Sequence, residues 1–470
     1  MIKSKWIKIS ALLMSGILTV PAAACSQKGS SAGNSSSGTV AETETKAAET
    51  DEETVSTETS DPETETAAIE TEAAFPETEA VETETEEETE IETTNTISSG
   101  TDNEHAIEVD GTEASYSNVL VTKTGDGEGD EADFYGENAA ILAENGAMLT
   151  LSEVIVQTDG THANAVFSYG DGTTINISNS SIETSGNCSG GLMTTGGGTM
   201  NASDLTIHTT GNSSAAIRSD RGGGTVNVTG GSYTTEGTGS PVIYSTADIT
   251  VNEAALKSTA SQGVVVEGKN SVTLNNVTLT ADNNTKNSNK SEWYQAVMIY
   301  QSMSGDAAQG EAYFTMNGGS LTNINGDIFF VNNTVATITL ENASIVNEDA
   351  DGVFLRAAAA GWGKEGSNGG KVNLKAVNQV IDGDIIVDEI SAVNIYLTDG
   401  SSLTGAVNAA NQGEVYIEIE SGSTWVLTGD SYITSLTCEA DAIDLNGYTL
   451  YVNGTAYTAG TTSDGSAITF

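Results

Sequence analysis

Basic side chains are scarce in this 470-residue chain: 16 Lys and Arg stand against 66 Asp and Glu, for a formal charge of -50. A surface of that sign repels nucleic acid and anionic lipid, and it leaves cations and neutral glycans as compatible partners. Cysteine is scarcer still, with only Cys25, Cys188 and Cys438. Neither Cys188 nor Cys438 has a His or Cys at metal spacing, so both read as isolated small residues. His105, His162 and His208 share no position in the repeat described below and suggest neither a metal site nor a catalytic triad. Long hydrophobic runs are missing too, since the apolar stretch Ile9 to Val20 is too short to span a bilayer.

That short stretch has another meaning. Lys3, Lys5 and Lys8 precede it and Ala22-Ala23-Ala24-Cys25 closes it, the pattern of an export signal over residues 1–25. The junction resembles a bacterial lipoprotein signal with Cys25 as lipid acceptor, although Ala22 stands where Leu is usual and Ala22-x-Ala24 also suits ordinary signal peptidase. Residues 26–103 run from Ser and Gly into a Thr/Glu tract, including Glu82-Thr83-Glu84-Thr85-Glu86-Glu87-Glu88. Dense like charge with little hydrophobicity cannot form a core, so a disordered linker that gives reach is expected. The expected location is the extracellular face of a cell membrane, with attachment through Cys25.

From residue 149 one pattern returns: two apolar residues flanking a polar one, then small polar residues, an apolar residue and a Gly or Asn turn. It begins at Leu149, Ile175, Met200, Val226, Ile249, Val272, Phe314, Ile338, Val372, Ile395 and Ile417, at intervals of 26, 25, 26, 23, 23, 42, 24, 34, 23 and 22 residues. Short period-two strands at this interval are the mark of a β-solenoid, whose rungs bury their apolar faces only by stacking. The fold class expected for residues 104–470 is all-β, a single-stranded right-handed parallel β-helix of about 11–13 coils. At ~4.8 Å per rung, Cys188 and Cys438 lie tens of Å apart, too far for a disulfide. The polar column Thr150, Asn176, Asn201, Asn227, Thr250, Thr273, Thr315 and Thr339 reads as a solvated ladder.

Before each repeat core lies another strand, in quartets such as Ile141-Leu142-Ala143-Glu144 and Val166-Phe167-Ser168-Tyr169. If the first and third residues point inward, the second column points out: Leu142, Phe167, Met193, Arg218, Ile243, Val265, Met298, Phe329, Phe354 and Ile386. A largely apolar outward stripe ~45 Å long exceeds what soluble monomers expose, so something should cover it. Inserts near 281–293, 301–311 and 357–370, which carry Trp293, Tyr294 and Trp362, could fold over it; alternatively it is an extended binding face. The candidate face comprises Phe167, Tyr169, Met193, Arg218, Asp220, Met298, Tyr300, Phe329 and Phe354, with Trp293 and Trp362 as clamps.

The rungs, the atypical last coil from Trp425 to Leu436, and the segments Ala216 to Gly224 and Val297 to Asp306 resemble adhesin-like right-handed β-helix lipoproteins of the pectin-lyase-like superfamily. The resemblance implies a surface adhesin, similar to autotransporter passengers without the barrel. In pectate lyases of that superfamily an Arg abstracts a proton while acids hold calcium against substrate, which draws attention to Arg218, Asp220 and Arg221. Only Asp220 lies in that coil, and Glu144, Glu267 and Asp388 are too scattered for a calcium cluster or a glycosidase pair, so no catalytic residue is assigned. Asp126, Glu128, Asp130 and Glu137 match an EF-hand loop at positions 1, 3, 5 and 12. Glu131 occupies the glycine position, which limits the expectation to weak calcium binding. No cofactor is otherwise implied. The expected function is adhesion through an extracellular glycan or a host or neighbour-cell surface protein; a polysaccharide lyase or hydrolase and a structural spacer are the alternatives.

Overall fold

The structure is a computed structural model that describes residues 91–470 apart from 287 and 291. Cys25 and the Thr/Glu tract up to residue 90 lie outside the described residues. Three long parallel sheets of ten, eleven and thirteen strands stack along one axis, with one strand added to each by successive coils until the first two end; a four-stranded sheet that starts at Val380–Asp382 and a three-stranded one that starts at Ser431–Ile433 complete the C-terminal end. The chain is a right-handed parallel β-helix, and the eleven and thirteen strands of the two longer sheets match the 11–13 coils that the repeat interval implies.

Sheet 1 runs from Asn95–Ser99 to Ser344–Asn347, sheet 2 from Ile107–Asp110 to Ile385–Val387, and sheet 3 from Glu113–Ser117 to Ser435–Cys438. Ordered structure therefore begins ahead of residue 104, because Asn95–Ser99 pairs in register with Val119–Lys123. Sheet 3 carries the sequence repeat. Leu149, Ile175, Met200, Val226, Ile249, Val272, Phe314 and Ile338 are direct neighbours, and Ile395 and Ile417 follow. Val372 is the exception: Ile338 pairs with Leu374, so the long interval at that point hides a two-residue offset. The inward columns form one continuous core, and the outward polar column of sheet 3 includes side-chain bonds from Asn227 to Asn201 and from Asn201 to Asn176, both 3.0 Å.

The corner between sheets 1 and 2 has its own repeat. Thr184, Thr209 and Thr235 donate through Oγ1 to the carbonyls of Ser189, Ser214 and Ser240 at 2.6, 2.6 and 2.7 Å. Ser189, Ser214 and Ser240 in turn accept the backbone N–H of the residue one coil back. Two residues after each threonine only glycine fits: a Cβ on Gly211 would stand 1.9 Å from the Gly186 carbonyl oxygen. These side chains satisfy backbone groups where the chain turns out of a sheet ladder.

Cys438 is a buried free thiol, so Cys188 and Cys438 are not joined. Among the described residues no helix is long and apolar enough to cross a membrane.

Candidate functional site

The outward column of sheet 2 differs from the expected one at three rungs. The registered neighbours are Leu142, Phe167, Met193, Arg218, Tyr244, Val265, Met298, Phe330, Arg356 and Ile386. Ile243, Phe329 and Phe354 instead belong to the inner core, at 1% exposure or less. The physical reason lies at the corner. Val242-Ile243 and Ile328-Phe329 are consecutive residues that both face the core, so strict alternation fails where each strand begins.

Apart from the half-buried Ile386, the apolar outward residues are covered, in two blocks. Leu142, Phe167 and Met193 pack with Ala139 under the segment that connects sheets 1 and 2 in the second coil, which contains the short helix Gly129–Phe134. Thr195 Oγ1 donates to the Phe134 carbonyl at 2.8 Å, and Tyr135 meets Tyr169 edge to face at 5.6 Å. Val265, Met298, Tyr300 and Phe330 form the second block with Ala358 and Trp362. The 357–370 insert is pinned there by Asn332, whose Nδ2 donates to the Ala358 and Asn368 carbonyls at 2.9 and 2.8 Å. Trp362 lies edge-on to Tyr300 at 5.2 Å, and Trp293 tilts onto Phe330 at 5.5 Å. Arg221 links the blocks: its guanidinium lies 3.8 Å from the Phe134 ring centroid and bonds Asp130 and Asp306, both at 2.8 Å.

Between the blocks the stripe breaks at Arg218 and Tyr244, and a cavity of about 100 Å³ opens over sheet 2. It is lined by Arg218, Tyr244, Val265 and Met298 of the outward column together with Trp293, Tyr294 and Trp362. Asp220 Oδ2 accepts from both Nε and Nη2 of Arg218, at 3.2 and 2.8 Å. Nη1 of the same guanidinium has no partner, and neither has Gln295 Oε1 or Trp362 Nε1. Each such group costs about 1–3 kcal/mol when buried without a bond, so three around one cavity mark a space to be filled by water or ligand.

Behind this surface lies a satisfied acid. Glu267 is buried; Tyr244 and Tyr300 donate their hydroxyls to Oε2, and the Ser302 hydroxyl and backbone N–H donate to Oε1. Burial, reinforced by this carboxylate, holds both phenols well above their ordinary pKa. Burial also pushes Asp220 up to about 6 against the pull of Arg218. Neither acid lines the cavity, which is bordered instead by Arg218, Lys286, amides, hydroxyls and rings. The arrangement can accept hydrogen-bonding apolar rings, and it places no carboxylate where a reacting bond would lie.

Of the residues expected to form the site, Arg218, Met298, Tyr300, Trp293 and Trp362 meet at this cavity, and Asp220 stands directly behind Arg218. Phe167, Tyr169 and Met193 lie in the other block, and Phe329 and Phe354 inside the solenoid. Asp126, Glu128, Asp130 and Glu137 do not converge. Asp126 Oδ1 accepts from the Thr161 N–H and hydroxyl, both at 2.8 Å, and Asp130 pairs with Arg221. Coil stacking does bring together Asp133, His162 and Cys188, and His162 Nδ1 lies 2.7 Å from Asp133 Oδ1. That corrects the reading of His162 and Cys188 as residues without such neighbours; their separation in sequence hid a contact made across coils. Tyr244 and Gln295 are site residues that the sequence pattern does not mark: a column shifted by one residue turns Tyr244 inward, and Gln295 precedes its quartet.

No family model, curated protein or solved structure matches this chain.

Proposed function

We propose that this protein is an exported surface lipoprotein of the adhesin-like, pectin-lyase-like β-helix kind, anchored through Cys25, which binds glycan in the cavity at Arg218, Tyr244, Trp293 and Trp362. One observation carries the reading: three residues that line a cavity walled by aromatic rings each hold a buried polar atom without a partner. Rings that pack on sugar faces, with a few fixed polar groups that orient them, are what a saccharide site requires. The signal-like start and the acidic linker support display at a cell surface, and Cys25→Ser should move the protein out of the membrane fraction. The lyase or hydrolase alternative is disfavoured by the position of Asp220 and Glu267, which sit behind Arg218 and the two tyrosines rather than in the cavity.

The test is retention of the full chain on an array of cell-surface glycans, compared with Trp293→Ala. Retention that falls sharply while circular dichroism stays unchanged supports the reading. Undiminished retention, or no retention of the unaltered protein on any glycan, overturns it.

A further inference from the structure

The unpartnered groups also specify what part of a sugar the cavity fits. Arg218 Nη1 and Trp362 Nε1 are donors in need of an acceptor, and Gln295 Oε1 is an acceptor in need of a donor. The three residues are 7%, 6% and 1% exposed, and all line the same cavity. Val265, Met298, Tyr244 and Tyr300 line the same cavity and give it apolar surface. An acetamido group carries one carbonyl acceptor, one N–H donor and one methyl, which complements that set. A bare hydroxyl has no apolar part to place against Val265 and Met298. A carboxylate would accept from both donors, but it would leave Gln295 unpaired and face the Asp220 and Glu267 charges behind them. A neutral group also suits a chain of net charge -50.

We infer that the cavity selects 2-acetamido sugars over their hydroxyl and amino counterparts, an inference that rests on the glycan-binding reading above. The carbonyl sits between Arg218 Nη1 and Trp362 Nε1, the N–H points to Gln295 Oε1, and the methyl lies against Met298 and Val265. The pyranose ring extends toward Trp293 and Tyr294 at the mouth.

Titration of the full-length protein with N-acetylglucosamine and N-acetylgalactosamine, beside glucose, galactose and glucosamine, tests it by tryptophan fluorescence and calorimetry. The acetamido sugars should bind at least about tenfold more tightly, the equivalent of one good hydrogen bond. Trp362→Phe keeps an aromatic ring and removes the N–H, and Gln295→Leu removes the acceptor at similar volume. Each should narrow the preference for acetamido sugars by about tenfold, read as the ratio of the N-acetylglucosamine and glucose dissociation constants within the same variant. Equal affinity for glucose and N-acetylglucosamine, or a preference untouched in both variants, overturns the inference and leaves glycan binding standing. Binding of no saccharide at all removes both. Binding of N-acetylglycine methylamide as tight as that of N-acetylglucosamine shows that the cavity reads an amide without a sugar, which also overturns it.

Discussion

Phe329 packs against Phe354 inside the solenoid, with ring centroids 5.5 Å apart, and each ring is at most 1% exposed. Phe329 also meets Phe314 of sheet 3 at 5.6 Å, so the three rings fill one section of the core. Phe329→Ala or Phe354→Ala should cost about 3–5 kcal/mol, the usual cost of emptying a buried phenylalanine site. Ile386→Ala, on the half-buried end of the outward column, should cost under about 1 kcal/mol by comparison. Urea unfolding of the three variants measures this. Equal losses would mean that Phe329 and Phe354 are not core.

The inner and outer columns can be separated more generally. Val264 is fully buried in sheet 2, whereas Thr273 stands on the outer polar column of sheet 3. Val264→Asp puts a charge among apolar neighbours with no partner and should prevent folding or lower the melting temperature severely. Thr273→Asp should leave the melting temperature within a few degrees of the original. Similar thermal profiles for both variants would contradict the assignment of sides.

Much of this architecture could be read from the chain. The Leu149 to Ile417 series marks sheet 3 because its apolar pairs alternate cleanly with polar residues that stay in water. Sheet 2 was harder to register. Where Val242-Ile243 or Ile328-Phe329 both turn inward at a corner, two adjacent apolar residues give no sign of where alternation starts. The Thr-x-Gly-x-x-Ser run at 184–189, 209–214 and 235–240 marks that corner, since in each coil its threonine bonds the serine carbonyl and its glycine sits where a Cβ has no room. The cover over Phe167 had a signal as well: 34 residues separate the paired Ile107 and Ile141, against 25 between Ile141 and Val166. The cavity was illegible for another reason. Arg218, Gln295 and Trp362 meet only because the 357–370 insert folds back over earlier coils.

The acid behind Arg218 should leave a trace in stability against pH. Burial raises the Asp220 carboxyl from its ordinary 3.8 to about 6, so the folded chain holds this proton more tightly than the unfolded one. The corresponding stability is fully present below about pH 4 and is lost as pH rises through about 6. A shift of about two units corresponds to about 3 kcal/mol. Asn at this position cannot titrate. The stability difference between wild type and Asp220→Asn should therefore change by about that amount between pH 4 and 6, with the wild type losing ground as pH rises. Parallel unfolding curves for the two proteins across that window would place Asp220 in a more solvated setting.

The cover over Phe167 depends on one glycine. Gly136 has φ +81, and a Cβ there would lie 2.9 Å from Leu142 Cδ1 and from Phe167 Cγ. Gly146 makes a natural control, since its φ is +80 and a Cβ there would meet nothing within 4 Å. Alanine at either position bears the left-handed backbone cost of about 1–2 kcal/mol. Only Gly136→Ala also pushes against the two side chains that the segment covers. Gly136→Ala should therefore be the less stable variant, and its covering segment should lift. Phe134 is 1% exposed and Tyr135 half-buried in the unaltered protein, so limited chymotrypsin digestion should spare that site there and in Gly146→Ala. It should cut early after Phe134 or Tyr135 in Gly136→Ala, while the stacked coils resist. Equal cleavage of the two alanine variants at this site would show that the segment is not held down by its contact with Leu142 and Phe167.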